Sequence, residues 1–183
     1  MELEEVVKGR RSIRIYQERD VPDSVIKELL DLARYAPSSM DGQPWHFIVI
    51  RKLTTKQELA VIKNKYCPLE KIAYKADFLL KAPVVIVVCV DREKSYEREI
   101  ENGVLATANI MLAAYNRGLG AVYMSAYRIN EPRIAEEIRN FLGAPENILP
   151  ITIIPIGYPE EIPSTKTIRS LQEMVSYETF SNK

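Results

Sequence analysis

Val84-Val85-Ile86-Val87-Val88-Cys89-Val90, opened by Pro83, is the stretch on which the fold turns. All of its residues are apolar and all but one are β-branched. No polar position interrupts the run, so it is predicted as a strand without a solvent face. Such a strand lies in the interior of a sheet whose two sides are both covered by other elements. Downstream, residues 98–117 are predicted to form the longest helix. Val104, Leu105, Ala106, Ala108, Ile110, Met111, Leu112, Ala113 and Ala114 leave it little polar face. A helix apolar nearly all round is buried, and in a chain of 183 residues one way to bury it is against a second copy.

The remaining elements follow from punctuation and period. Residues 2–9 read as a short helix ending at Gly9. Residues 23–35 read as a helix, with Val25, Ile26, Leu29, Leu30 and Ala33 recurring at three and four and prolines at 22 and 37 marking its limits. A polar turn-rich loop, Ser38 to Pro44, leads to a strand over 45–51. Residues 55–63 are predicted helical, followed by a loop and a helix over 73–81. Gly118-Leu119-Gly120 caps the long helix and leads to a strand over 121–124. An amphipathic helix over 131–142, a strand over 148–156 and a polar tail over 160–183 complete the chain. The tail has one helical patch near 171–175 and needs something to lie on. Mixed helices and strands around one long helix predict a single α+β layered domain spanning 1–183.

Composition narrows the function classes. Hydrophobic residues are 46% and charged residues 27%, ordinary for a soluble globular protein. Lys plus Arg equals Asp plus Glu at 25 each, which argues against nucleic acid as partner, since that affinity rests on a basic excess. Cys67 and Cys89 lie far apart without CxxC spacing, and His46 is the single histidine. A multi-histidine metal site is excluded and no metal is expected. The reduced-cysteine pattern, the acidic helical start and the lack of any stretch near the about 18 apolar residues of a membrane span predict a cytoplasmic protein with no membrane partner.

Four local features carry the chemistry. The first is Arg10-Arg11-Ser12-Ile13-Arg14. In an extended backbone Arg10, Ser12 and Arg14 point one way, and guanidinium forks with a hydroxyl suit a phosphate. Ile13 and Ile15 point the other way, toward a core. The second is Ala36-Pro37-Ser38-Ser39-Met40-Asp41-Gly42-Gln43-Pro44-Trp45. The third is Gly118-Leu119-Gly120 running into Met124-Ser125-Ala126-Tyr127. The fourth is Pro155-Ile156-Gly157-Tyr158-Pro159 with Arg169 beyond it. In this order and at these distances, over roughly residues 5 to 177, they resemble the FMN-dependent nitroreductase family.

The resemblance implies a central mixed β-sheet flanked by helices on both faces, a homodimer and an extended C-terminal tail. It implies FMN as cofactor, NADH or NADPH as electron donor, and a small-molecule electron acceptor such as a nitroaromatic or quinone. By position, Arg10 and Ser12 match residues that grip the FMN phosphate, and Arg11 one that lies against the ribityl and phosphate region. Arg14 matches a basic residue near the flavin N1–C2=O edge. Pro37, Ser38 and Ser39 match a loop that reaches FMN from the other subunit, with Gln43 a polar position of the same motif. Ser125 and Ala126 match the backbone facing flavin N5 and O4, and Arg169 a late basic residue completing the phosphate cage. No side chain is expected as catalytic acid or base, because hydride moves through flavin N5 in ping-pong order, with Arg14 stabilising the reduced anion.

The chain departs from the family pattern at Asp41, where asparagine is usual, and at Ser125, where several relatives carry Glu or Gly. No motif transfers to 64–82, the stretch in which acceptor preference is expected to be encoded. Local readings stay open beside the functional ones. Arg14 could pair with a surface carboxylate, Ser38 and Ser39 could serve as caps, and Trp45 and His46 could simply pack at a strand's start. Tyr66, Tyr74, Tyr123 and Tyr127 are candidates for a stacking aromatic. A non-catalytic flavin-binding module for storage or redox sensing is the alternative to an oxidoreductase.

Overall fold

The apolar run becomes the spine of the sheet. The computed structural model describes residues 1–68 and 75–180. Strand β2 (Val84–Asp91) lies between β1 (Trp45–Ile50) and β5 (Ile148–Gly157). Short β3 (Gly120–Ala121) and β4 (Met124–Ser125) pair with the far side of β5. Residues 84–90 are fully buried, and their alternation sorts them onto two faces. Val84, Ile86 and Val88 join a cluster with Leu29, Ala106, Ile110 and Ile154. Val85, Val87 and Cys89 join another with Leu59, Leu79, Ile134 and Ile138. The first face is covered by α2 (Asp23–Ala33) and α4 (Glu99–Asn116), the second by α3 (Leu53–Lys65), a 3-10 turn over Ala76–Leu80 and α5 (Arg133–Phe141). The short α1 (Leu3–Gly9) packs on α4.

The sheet is antiparallel rather than mixed. Every pairing between named strands is antiparallel, and the parallel pairing among the described residues is the isolated bridge Ser12–Ala121. Ile50 pairs with Val85, and Asp91 with Ile148. From β1 to β2 the chain therefore re-enters the sheet at the end where it left, and this excursion goes out and back over one face. After β2, α4 carries the chain across the other face to β3, whose Gly120 pairs with Gly157 at the opposite end of the sheet. Strand β4 and α5 then bring it back to the start of β5.

Other local expectations shift by small amounts. The strand expected over 121–124 is two two-residue strands, β3 and β4. The helix expected over 73–81 is the 3-10 turn Ala76–Leu80, with Ala73 and Tyr74 outside the described residues. Ile13 is buried but Ile15 is 53% exposed, because Tyr16 takes the inward position and donates its hydroxyl to Ile13 O at 2.6 Å. The tail carries a 3-10 turn at Leu171–Glu173 and is exposed along most of its length.

Helix α4 shows one buried face and one open one. Ala106, Ile110 and Ala114 are inside, while Leu105 remains 40% exposed. Beside it, Leu3, Val6, Leu32, Tyr35, Leu112 and Ala113 line an open apolar groove of about 420 Å3. Among the described residues no helix is long and apolar enough to cross a membrane, and no cluster of His, Cys, Asp and Glu could hold a metal ion.

Candidate functional site

The Arg-Ser segment leaves α1 and crosses to the sheet edge. Arg10 closes the helix through its backbone N–H to Val6 O at 3.1 Å, and Ile13 N donates to Ala121 O at 3.1 Å. These two bonds hold residues 10–13 extended beside β3. Arg10 is half-buried, and its Nη1 is buried without a hydrogen-bond partner among the described residues. A buried cationic donor left unpaired is costly, so the position calls for an anion. Ser12 lies on the exposed side of the same segment.

The neighbouring arginines differ in state. Arg11 folds back, its Nη1 donating to Lys8 O at 2.7 Å, Gly9 O at 3.2 Å and Arg10 O at 2.9 Å. It thereby satisfies orphan carbonyls at the end of α1. Arg14 is exposed and forms no ion pair among the described residues; its guanidinium stands 5.9 Å from the Phe78 ring centroid. Its backbone N–H and that of Ile15 donate instead to the Glu161 carboxylate. The same sequence triplet therefore holds one arginine consumed by the fold, one buried donor without a partner and one cation facing solvent.

The loop after α2 is strained and strapped down. Met40, Asp41 and Gln43 have φ of 49°, 53° and 44°, left-handed values that non-glycine residues adopt only where their surroundings enforce them. Gly42 sits so close to Lys94 that a Cβ would lie 2.1 Å from its carbonyl oxygen. Ser38 Oγ accepts the Gln43 N–H at 3.1 Å, and Gln43 Nε2 donates to Asp41 Oδ1 at 3.1 Å. Asp41 thus holds Gln43 in place. Buried Asn102, near the start of α4, is the strap. Its Oδ1 accepts Ser39 N–H at 3.0 Å and its Nδ2 donates to Ser95 O at 3.1 Å, while its backbone carbonyl accepts Trp45 Nε1 at 2.8 Å. Pro37 and Gln43 stay exposed, and His46 is exposed on β1 rather than packed.

At the far edge of the sheet, Ala126 is buried and its N–H is already given to Ile151 O at 2.9 Å. Ser125 Oγ closes a turn onto Tyr127, and the Ser125 carbonyl accepts Lys63 Nζ from α3. Burial, with Arg128 as a nearby like charge, pushes the Lys63 ammonium down to about 8, with a smaller opposing effect from Cys67. Lowering a lysine in the folded state makes stability rise with pH between its folded and unfolded values. Unfolding of the native protein relative to Lys63→Met is therefore expected to become harder as pH rises from about 8 to 10.5, as denaturant titrations at stepped pH will show. A flat difference would place the ammonium in water.

Within one chain the structure joins Arg10, Ser12 and Arg14 on one segment and Pro37, Ser38, Ser39 and Gln43 on one loop. It does not join the two groups. The loop is tied to Asn102 at the N-terminal end of α4, whereas Ser12 is bridged to Ala121 beyond its C-terminal end. At 1.5 Å per residue those ends stand roughly 20 Å apart. Arg169 lies exposed on the tail, and no hydrogen bond or ion pair among the described residues ties it to Arg10. Sequence reasoning missed Asn102, Phe78, Lys63 and Glu161. Asn102 lies in a helix pattern where a lone amide carries no signal, and the other three are brought in from remote elements.

Comparison with known proteins identifies the family. Residues 7–158 match the model of the nitroreductase family. A Methanothermobacter thermautotrophicus protein, provisionally named NADH dehydrogenase/NAD(P)H nitroreductase, is 39% identical over 170 residues, covering 92% of this chain and 83% of that one. An FMN reductase [NAD(P)H] of Bacillus subtilis is 26% identical over 205 residues, covering 99% and 76%. The solved structure of an FMN-dependent nitroreductase from Clostridium difficile superposes with a TM-score of 0.82 at 29% identity, covering 96% of this chain and 98% of that one. A match over most of the chain, joined to the same layered fold, leads to one conclusion: the chain belongs to the nitroreductase family.

Proposed function

We propose that this protein is an FMN-dependent NAD(P)H oxidoreductase that passes electrons to nitroaromatic, quinone or related small-molecule acceptors. One observation carries the reading: the buried, unpartnered Nη1 of Arg10 beside exposed Ser12. A phosphate monoester carries close to two negative charges near neutral pH and would accept from that unpartnered donor. When bound, FMN supplies a two-electron carrier that no side chain can replace. Arg10 and Ser12 would hold the phosphate, and Arg11 shapes the segment by capping α1. Arg14, whose guanidinium forms no ion pair among the described residues and stands 5.9 Å from the Phe78 ring, would offer a cation to the reduced, negatively charged group. The Ser125 edge bounds the isoalloxazine side. Because Ala126 N–H is already committed, Ser125 is the better candidate for that contact.

The site is read as shared between two chains. The roughly 20 Å between the Arg10 segment and the Ser38–Gln43 loop is closed if α4 packs on α4 of a second copy about a two-fold axis. The apolar groove beside α4 and the exposed Ile162, Ile168, Leu171, Tyr177 and Phe180 of the tail support such a partner. Arg169 then reaches a phosphate on the assembled dimer rather than in its own chain. Anaerobic mixing of the purified protein with NADH and NADPH tests the activity. Loss of the visible flavin absorbance, and its return on adding a quinone, is expected. A yellow protein that neither donor bleaches would leave the flavin-binding module. Dilution to monomer is expected to release the flavin, and a monomer that keeps it would contradict a shared site.

A further inference from the structure

A cavity of about 180 Å3 opens beside the Ser125 edge, lined by Lys63 and Asn64 of α3, Cys67, Ala76, Met124, Ser125 and Arg128. Its described lining holds two cations and no carboxylate. The nearby acids among the described residues are committed elsewhere. Asp77 accepts Asn64 Nδ2 at 2.7 Å, Glu131 forms a two-pronged pair with Arg133 at 2.6 Å, and Glu137 accepts Lys65 Nζ and Tyr66 Oη, both at 2.6 Å. Lys63 spends one donor on the Ser125 carbonyl, and an ammonium has three. Arg128 makes no ion pair among the described residues. Lys63 and Arg128, neither in an ion pair among the described residues and Arg128 feeling only a longer-range pull from Glu131, give this small half-enclosed cavity a field that favours an anion of matching size.

We propose that this cavity is an oxyanion subsite that holds the carboxylate of an aromatic electron acceptor, with Lys63 and Arg128 as its binding residues. The assignment of the bound molecule as an acceptor rests on the flavin reading above; the anion binding does not. Ser125 is the shared wall, so an acceptor anchored here by its carboxylate extends toward the side on which the isoalloxazine is placed. Lys63 supplies the inner, desolvated contact, and Arg128, at the exposed rim, draws the anion in.

The test compares two nitroarenes of the same shape, 4-nitrobenzoate and 4-nitrobenzamide, with the flavin-loaded dimer. The ratio of their kcat/KM values is the readout. The native protein is expected to favour the carboxylate. That ratio is expected to fall about tenfold in Lys63→Met, the loss of one charge-assisted contact, and severalfold in Arg128→Gln. Arg128 is exposed, so its variant carries the test if Lys63→Met fails to fold. No preference in the native protein, or the same ratio in native and Arg128→Gln, overturns the subsite while leaving the oxidoreductase reading intact. If neither nitroarene is reduced, calorimetric titration with benzoate decides the cavity alone. Saturable binding that weakens in Arg128→Gln supports it, and absent binding overturns it.

Discussion

Replacing Arg10 by alanine is expected to weaken FMN binding by roughly tenfold to a hundredfold. A charge-assisted hydrogen bond contributes about 1.5–3 kcal/mol net, and micromolar affinity corresponds to about 8 kcal/mol in all. One guanidinium therefore accounts for a sizeable share of the phosphate grip. The direction of the accompanying stability change separates this reading from a structural one. Arg10 Nη1 is buried and has no hydrogen-bond partner among the described residues, so removing it takes away an unsatisfied donor. The flavin-free protein should lose little stability, or gain some, while flavin affinity falls. Fluorescence titration of FMN and thermal unfolding of the flavin-free form measure the two separately. Flavin affinity unchanged in Arg10→Ala would remove this residue from the phosphate site.

Asn102 is expected to show the second large effect, although it touches no ligand. Its amide holds Ser39 N–H on one side and Ser95 C=O on the other, across a loop with three left-handed non-glycine residues. Asn102→Leu keeps the volume but takes away the acceptor of Ser39 N–H, at about 1–3 kcal/mol, and one of the two donors to the Ser95 carbonyl, which keeps the Arg98 N–H at 3.0 Å. The loop is expected to relax from its strained conformation, with flavin affinity falling about tenfold. Asn102→Asp separates positioning from bulk stability. Its protonated carboxyl is shaped like the amide and can both accept from Ser39 and donate to Ser95. Burial and the facing Ser95 carbonyl raise the pKa of that carboxyl. Flavin affinity in Asn102→Asp should therefore be near native at acid pH and fall as the group ionises. The native protein, with no titrating group there, should show no such dependence. A variant that melts earlier but binds FMN alike at every pH would make Asn102 a packing residue only.

Much of the fold is legible in local pattern because its elements are set by local causes. The run 84–90 has no polar position and accordingly lies buried on both sides of the sheet. The i, i+3, i+4 spacing of Ile26, Leu29 and Ala33 places all three in the core. Ile15 and His46 are read less well, since a single residue's facing depends on a neighbour such as Tyr16 taking the inward place. The candidate site is legible as a set of residue types in order, and much less as an arrangement. Arg10 and Arg11 are identical in type and adjacent. Only the end of α1, with its unpaired carbonyls, makes one a helix cap and leaves the other a free donor.

The amino-acid order alone determined the α+β class, the buried central strand, the long apolar helix and the family to which the motifs point, because periodicity and motif spacing are properties of neighbouring residues. Tertiary structure decided the antiparallel direction of the sheet, the strap from Asn102 to the 38–43 loop and the pairing of Lys63 with the Ser125 edge. It also set the two halves of the candidate site at opposite ends of α4. These depend on which groups meet after the chain has turned back on itself, and hydrogen bonds across 60 or more positions of sequence, such as Ser39 to Asn102, leave no periodic trace to be read beforehand.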